Sequence, residues 1–266
     1  MTFNIAVAGK GGSGKTSITS LIIRYLKKNS SGVVLAVDAD ANANLAESLG
    51  LEAQLTVGSI IASFNEEKIN IPAGFTKEAY LEYKLNEAVV ESKGLDLVAM
   101  GRGEGPACYC YPNLLLRKFL DKMSDNYAYV VLDNEAGIEH LSRRTTQNVD
   151  ELLLVSDHSV KGVRTIARIK ELVAEIKLVV KRQSVIINFV ADGLDPAVTE
   201  ELARLGITPT ATIPFDEEVR QCDLQQKPLL DLPDTSKAVV AINELMTKLL
   251  KGDAGNLSPS KINIGG

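Results

Sequence analysis

At 266 residues with 45% apolar side chains, the chain is long enough to bury one large α/β core. Its 29 Lys and Arg against 34 Asp and Glu give a net charge of −5 with no dense basic run, which argues against a dedicated nucleic-acid partner. No apolar stretch nears the roughly 20 residues that span a bilayer, and three cysteines make no disulfide framework, so a soluble, cytoplasmic protein with reduced thiols is expected.

Phe3–Ala8 is a short apolar run of strand character. It opens onto Gly9-Lys10-Gly11-Gly12-Ser13-Gly14-Lys15-Thr16, which fits the phosphate-loop pattern G-x-x-x-x-G-K-[ST]. The glycines let successive backbone N–H groups turn inward around phosphate oxygens without a Cβ in the way. Lys15 then reaches the outer phosphates, the Thr16 hydroxyl ligates Mg²⁺, and Ser17 starts a helix with apolar positions at Ile18, Leu21, Ile22, Tyr25 and Leu26. Lys10 is a second lysine that the pattern does not require, and it says the most about function.

Val33–Val37 predicts the next strand, ending on Asp38-Ala39-Asp40 at the carboxyl edge where open α/β sheets bind ligands. Of these two carboxylates one can enter the Mg²⁺ shell while the other orients water. Residues 57–93 are weaker in pattern, broken by Pro72 and Gly74, and predict a variable helical insertion at the sheet edge.

Leu95–Met100 predicts a strand followed by the loop Gly101–Ala107 and Cys108-Tyr109-Cys110. In an extended segment residues i and i+2 face the same side, roughly 6.5 Å apart, so both sulfurs can turn to one ion. Two thiolates rarely complete a metal site, but a twofold dimer would bring the same loop to its own copy and make a four-sulfur site. Zn²⁺, Ni²⁺ or an Fe–S cluster all suit such soft ligands.

Tyr129–Leu132 predicts a strand ending in Asp133-Asn134-Glu135-Ala136-Gly137, an acidic residue with a glycine pivot such as a γ-phosphate-sensing switch needs. Further strands are expected at Glu151–Val155, Ser184–Phe189 and Thr208–Ile213. The amide of Asn188 could pair with a purine's edge, and Pro214-Phe215-Asp216 would present backbone groups and a ring to its other side. Cys222 reads as core filler within a helix, and His140 and His158 as structural imidazoles. The alternation of strands and helices predicts a mostly parallel, doubly wound α/β sheet in one domain over residues 1–251, with 252–266 a disordered tail.

Taken together, GKGGSGKT, the segment Asp38–Leu45, DNEAG from Asp133, the Asn188 strand end and IPFD from Ile213 resemble the MinD/ParA branch of P-loop ATPases, the deviant Walker-A class. The resemblance implies binding of ATP and ADP with Mg²⁺, and a homodimer closed by ATP in which Lys10 crosses to the partner's phosphates. It also implies that Asp40 activates water and that Asp133 is the switch II aspartate. GRGEGPACYCYPN together with DNEAGIEHLSRRT is similar to the CooC/AcsF-type nickel-insertion ATPases that mature carbon monoxide dehydrogenase and acetyl-CoA synthase. That similarity implies a metallochaperone in which nucleotide and dimerisation govern Ni²⁺ held by Cys108 and Cys110 of both subunits, with that metalloenzyme as client. Nickel as against zinc comes wholly from the family. The alternative is a related ATPase carrying or inserting an Fe–S cluster at the dimer interface. A membrane-bound relative would need a basic amphipathic C-terminal helix, and Val239–Leu250 offers only Lys248.

Overall fold

The computed structural model describes the chain except Met1, Ala41, residues 67–70, Ala73, 102–118, 135–147, Lys177 and 254–266. The predicted Cys108, Cys110 and His140 and most of the expected tail therefore lie outside the described residues.

The first strand, β1 (Phe3–Gly9), is apolar and buried from Ile5 to Gly9. It feeds α1 (Lys15–Asn29), whose Ile18, Leu21, Ile22 and Leu26 recur at helical spacing and are all buried. The chain continues through β2 (Val34–Asp38), α2 (Asn44–Ser48), α3 (Val57–Glu66), α4 (Lys77–Glu87), β3 (Val89–Ser92) and β4 (Leu95–Ala99). Residues 119–124 are helical and lead to β5 (Tyr129–Asp133). Then come β6 (Asn148–Asp157), α5 (Val160–Glu175), β7 (Val179–Val190), α6 (Pro196–Arg204), β8 (Ala211–Pro214), α7 (Glu217–Leu224) and α8 (Lys237–Asp253).

The eight strands form one sheet in the order β3-β4-β2-β5-β1-β6-β7-β8. Every pairing is parallel except β3 with β4. Both faces are covered, as a parallel sheet requires. Ile5 and Val7 of β1 point into a core shared with α1, α2 and α8. Ala6 and Ala8 point the other way, into a core shared with α3, α4, α5 and α6. Each fully buried Ile or Leu in these layers contributes about 1.5–3 kcal/mol of transfer free energy.

The mostly parallel, doubly wound sheet agrees with the sequence reading, and residues 57–93 differ from it in two ways. Val89–Ser92 is a strand, paired antiparallel to β4 across a turn in which Gly94 takes a φ of 73°. Also, α3 and α4 are more than an edge insertion: Val57, Ile60, Ile61, Phe64, Leu81 and Leu85 belong to a main core layer. At the other end α8 runs to Asp253, two residues past the expected domain limit.

The topology sets the site. Strand order departs in both directions from β1, so the crevice beyond its carboxyl end is the switch point where open α/β sheets take ligands. Register brings Asp38 of β2 opposite Asp133 of β5, Val7 opposite Asp133, and Asp157 of β6 opposite Asn188 of β7. Four polar strand ends thus surround the glycine loop.

Candidate functional site

The loop from Gly9 to Gly14 is held tightly to its neighbours. A Cβ on Gly9 would overlap the Val155 carbonyl of β6, so only glycine lets β1 leave the sheet here. Gly14 has a φ of 82°, and a Cβ there would meet the Asn188 amide and lie 2.8 Å from Phe189 Cζ. Immediately after it α1 begins with no side-chain cap and no acidic residue in its first turn. Its leading N–H groups and positive dipole end are therefore available to an anion.

The predicted side chains converge on this loop. Lys15 is 8% exposed and its Nζ donates to the Lys10 carbonyl at 3.2 Å. Thr16 Oγ1 donates to Asp133 Oδ2 at 2.6 Å, and Thr19, one turn on, donates to Asp133 Oδ1 at 3.2 Å. Burial pushes the Asp133 carboxyl up to about 6, against the lowering pull of both hydroxyls and of Lys15. Asp38 is fully buried and accepts from Leu45 N at 2.8 Å and Asp40 N at 3.0 Å. Burial, with Asp133 and Asp40 as like charges nearby, raises its carboxyl to about 7. Asp40 is partly exposed and accepts from Asn42 N at 2.8 Å. Two buried acids set side by side, short of a full counter-charge, suit a divalent cation. The Ser13 hydroxyl of the loop and Asn134 Oδ1, next to Asp133, are buried without hydrogen-bond partners. Asn134 is anchored through its N–H and side-chain amide, which donate to Val7 O at 3.1 and 2.9 Å.

Lys10 does not point at its own loop: its Nζ sits 2.9 Å from Asp157 Oδ2, 37% exposed. The sequence reading had not singled out Asp157, although it ends a strand in an acid as Asp38 and Asp133 do. Thr19 was also missed; its spacing of three from Thr16 on one helix face was the available signal.

The residues expected at the base divide. Asn188 is buried, donates through Nδ2 to the Ser13 carbonyl at 2.9 Å and accepts Phe189 N on Oδ1 at 2.9 Å, so it braces the phosphate loop. Pro214 ends β8. The Asp216 carboxylate serves the fold: it caps α7 through Glu218 N at 2.8 Å and accepts Ser236 Oγ at 2.6 Å and Ala238 N at 2.9 Å. Burial opposes this charge, but those donors outweigh it and hold the carboxyl below the ordinary range. His158 is structural, as expected: its Nε2 accepts Asp195 N at 2.8 Å.

Beside Thr16 and Ser17 lies a cleft of about 310 Å³, walled by Asn44, Glu47, Val219, Cys222 and Asp223 among others. Cys222 sits within α7 as expected and is partly buried, with burial raising its thiol. No described helix is long and apolar enough to cross a membrane.

Residues 5–229 match the CobQ/CobB/MinD/ParA nucleotide binding domain family. The chain is 41% identical over 248 residues to an uncharacterized ATP-binding protein of Methanocaldococcus jannaschii, covering 92% of this chain and 98% of that one. It is 30% identical over 234 residues to the carbon monoxide dehydrogenase accessory protein CooC of Rhodospirillum rubrum, covering 82% and 86%. Among solved structures it is similar to the septum site-determining protein MinD of Pyrococcus horikoshii complexed with Mg-ADP. The TM-score is 0.70 at 18% identity, over 97% of this chain and 100% of that one. The chain belongs to the CobQ/CobB/MinD/ParA nucleotide-binding family.

Proposed function

We propose that this member of the CobQ/CobB/MinD/ParA family is an ATP-driven metallochaperone: a slow ATPase that dimerises on its nucleotide and carries nickel to a carbon monoxide dehydrogenase or acetyl-CoA synthase. The observation that carries the ATPase reading is the Thr16–Asp133–Thr19 contact beside an uncapped α1. It joins the phosphate loop to the strand end that would sense a γ-phosphate.

In this reading Gly9, Gly11, Gly12, Ser13, Gly14 and Ser17 offer backbone N–H groups to the phosphates and Lys15 neutralises the outer ones. Asn188 and Pro214 border the nucleoside, with Asp216 fixing the turn behind them. Thr16 would hold Mg²⁺ directly, with Asp133 and Asp38 around its waters, and the ion would neutralise charge on the β- and γ-oxygens. Asp40 orients the attacking water and takes its proton as the oxygen bonds to the γ-phosphorus and the bond to ADP breaks. Lys10, already outside its own loop on Asp157, is free to be passed to a partner's phosphates as the dimer closes.

The cargo reading is supported by the Cys108-Tyr109-Cys110 pair and by the similarity to CooC. The nickel-bound form would use both pairs of a dimer, with zinc as a competitor. The test is anaerobic titration of the reduced protein with Ni²⁺ and Zn²⁺, with ATP, with ADP and without nucleotide, following thiolate-to-metal absorbance and mass together. One nucleotide-dependent metal per dimer, lost in Cys108→Ala, is expected. Metal indifferent to dimerisation or kept by Cys108→Ala sinks the cargo reading. Brown colour after anaerobic purification would favour Fe–S carriage instead.

A further inference from the structure

A threonine inside a helix usually turns its hydroxyl to solvent or returns it to the carbonyl one turn back. Thr165 of α5 donates in this way to Lys161 O at 3.0 Å, and Thr199 of α6 to Asp195 O at 3.1 Å. Thr19 of α1 does neither. It is fully buried, and its hydroxyl leaves the helix to donate to Asp133 Oδ1 at 3.2 Å, across 114 residues of chain.

That contact completes the fixing of the Asp133 carboxylate. Thr16 holds Oδ2 at 2.6 Å and Thr19 holds Oδ1, and the two hydroxyls stand one turn apart on a single helix. The backbone behind the carboxylate is tied as well, since Asp133 O accepts Ala39 N at 2.9 Å and Asn134 N donates to Val7 O at 3.1 Å. The side chain of this 1% exposed acid therefore cannot swing without breaking a bond to α1.

The two hydroxyls differ in what can reach them. Thr16 is half-buried and borders the open cleft, so a ligand at the loop can engage its oxygen. Thr19 lies one turn deeper with no exposed surface, so no ligand competes for its hydroxyl. Its grip on Oδ1 persists when Thr16 is engaged.

We propose that Thr19 is a positioning residue for the Asp133 carboxylate: it holds Oδ1 so that Oδ2 keeps facing Thr16, the residue that would hold Mg²⁺. This rests on the nucleotide reading above. Thr19 touches neither the ion nor a phosphate, and acts only by preventing the carboxylate from turning away. Loss of an outer partner of this kind costs a metal site roughly tenfold or more in affinity.

The test is calorimetric titration of the full chain with ADP in EDTA, followed by Mg²⁺ titration of the ADP complex. Thr19→Val keeps the side-chain shape and deletes the donor, and Thr19→Ala deletes the donor without a second methyl to crowd the helix. Both are expected to raise half-saturating Mg²⁺ about tenfold while ADP affinity in EDTA changes by less than about twofold. Thr19→Ser, which keeps the hydroxyl and drops the methyl, should take up Mg²⁺ as the wild type does. A wild-type Mg²⁺ requirement in the donor-less variants overturns the inference. So does an equal loss of ADP affinity with and without Mg²⁺, which would make Thr19 only a brace for α1. A requirement raised as far by Thr19→Ser as by Thr19→Val also overturns it, because packing of the methyl would then explain the effect. Wild-type protein that fails to bind ADP would instead refute the nucleotide reading itself, and this inference with it.

Discussion

Asp216→Ala is expected to damage the fold rather than the ligand site. The carboxylate is 8% exposed and receives three donors: Glu218 N at 2.8 Å, Ser236 Oγ at 2.6 Å and Ala238 N at 2.9 Å. Losing the α7 cap costs about 1 kcal/mol. Two buried donors left without an acceptor cost about 1 kcal/mol or more each, Ser236 being only 2% exposed. The sum is about 3 kcal/mol, which in a domain of this size lowers Tm by roughly 10 °C. Calorimetry or circular dichroism would read it, with ADP affinity measured well below the transition. The carboxyl is depressed in the fold, so its contribution is present above the unfolded carboxylate range and is lost as pH falls through the folded value. Asp216→Ala should therefore flatten the acid limb of stability against pH. An unchanged Tm with a large loss of ADP affinity would refute this reasoning and give the carboxylate a direct part in nucleotide binding.

Lys10→Ala should abolish ATP-dependent dimerisation and hydrolysis while monomeric nucleotide binding persists, because Lys10 lies against Asp157 and not on its own loop. Wild-type phosphate release by that variant would exclude a cross-dimer role. Asp133→Asn removes a buried charge whose burial is only partly offset by two hydroxyls, so the nucleotide-free protein should be no less stable. Thermal stabilisation by nucleotide should then lose its dependence on Mg²⁺. If Mg²⁺ still adds its wild-type increment, Asp133 has no part in holding the ion.

What the sequence determined is what is written in contiguous chain. The glycine loop, the apolar β-branched strands and the acids at their ends are local patterns, so the doubly wound sheet and the acids that end its strands beside the glycine loop could be read directly. Similarity to known ATPases extended the expectation to nickel and to a client metalloenzyme, which no spacing rule supplies. The edge strand Val89–Ser92 escaped because its residues are mostly half-exposed and it becomes a strand only by pairing with β4. Tertiary structure alone decided which polar groups answer each other. Lys10 meets Asp157 across 147 residues, Thr16 meets Asp133 across 117, and Asn188 meets Ser13 across 175. It also decided that the Asp216 carboxylate is spent on α7 and α8, and that a register break turns Phe189 outward beside Gly14. Hydrogen bonds and close packing depend on positions in space, and only the closed sheet brings these distant strand ends to one rim.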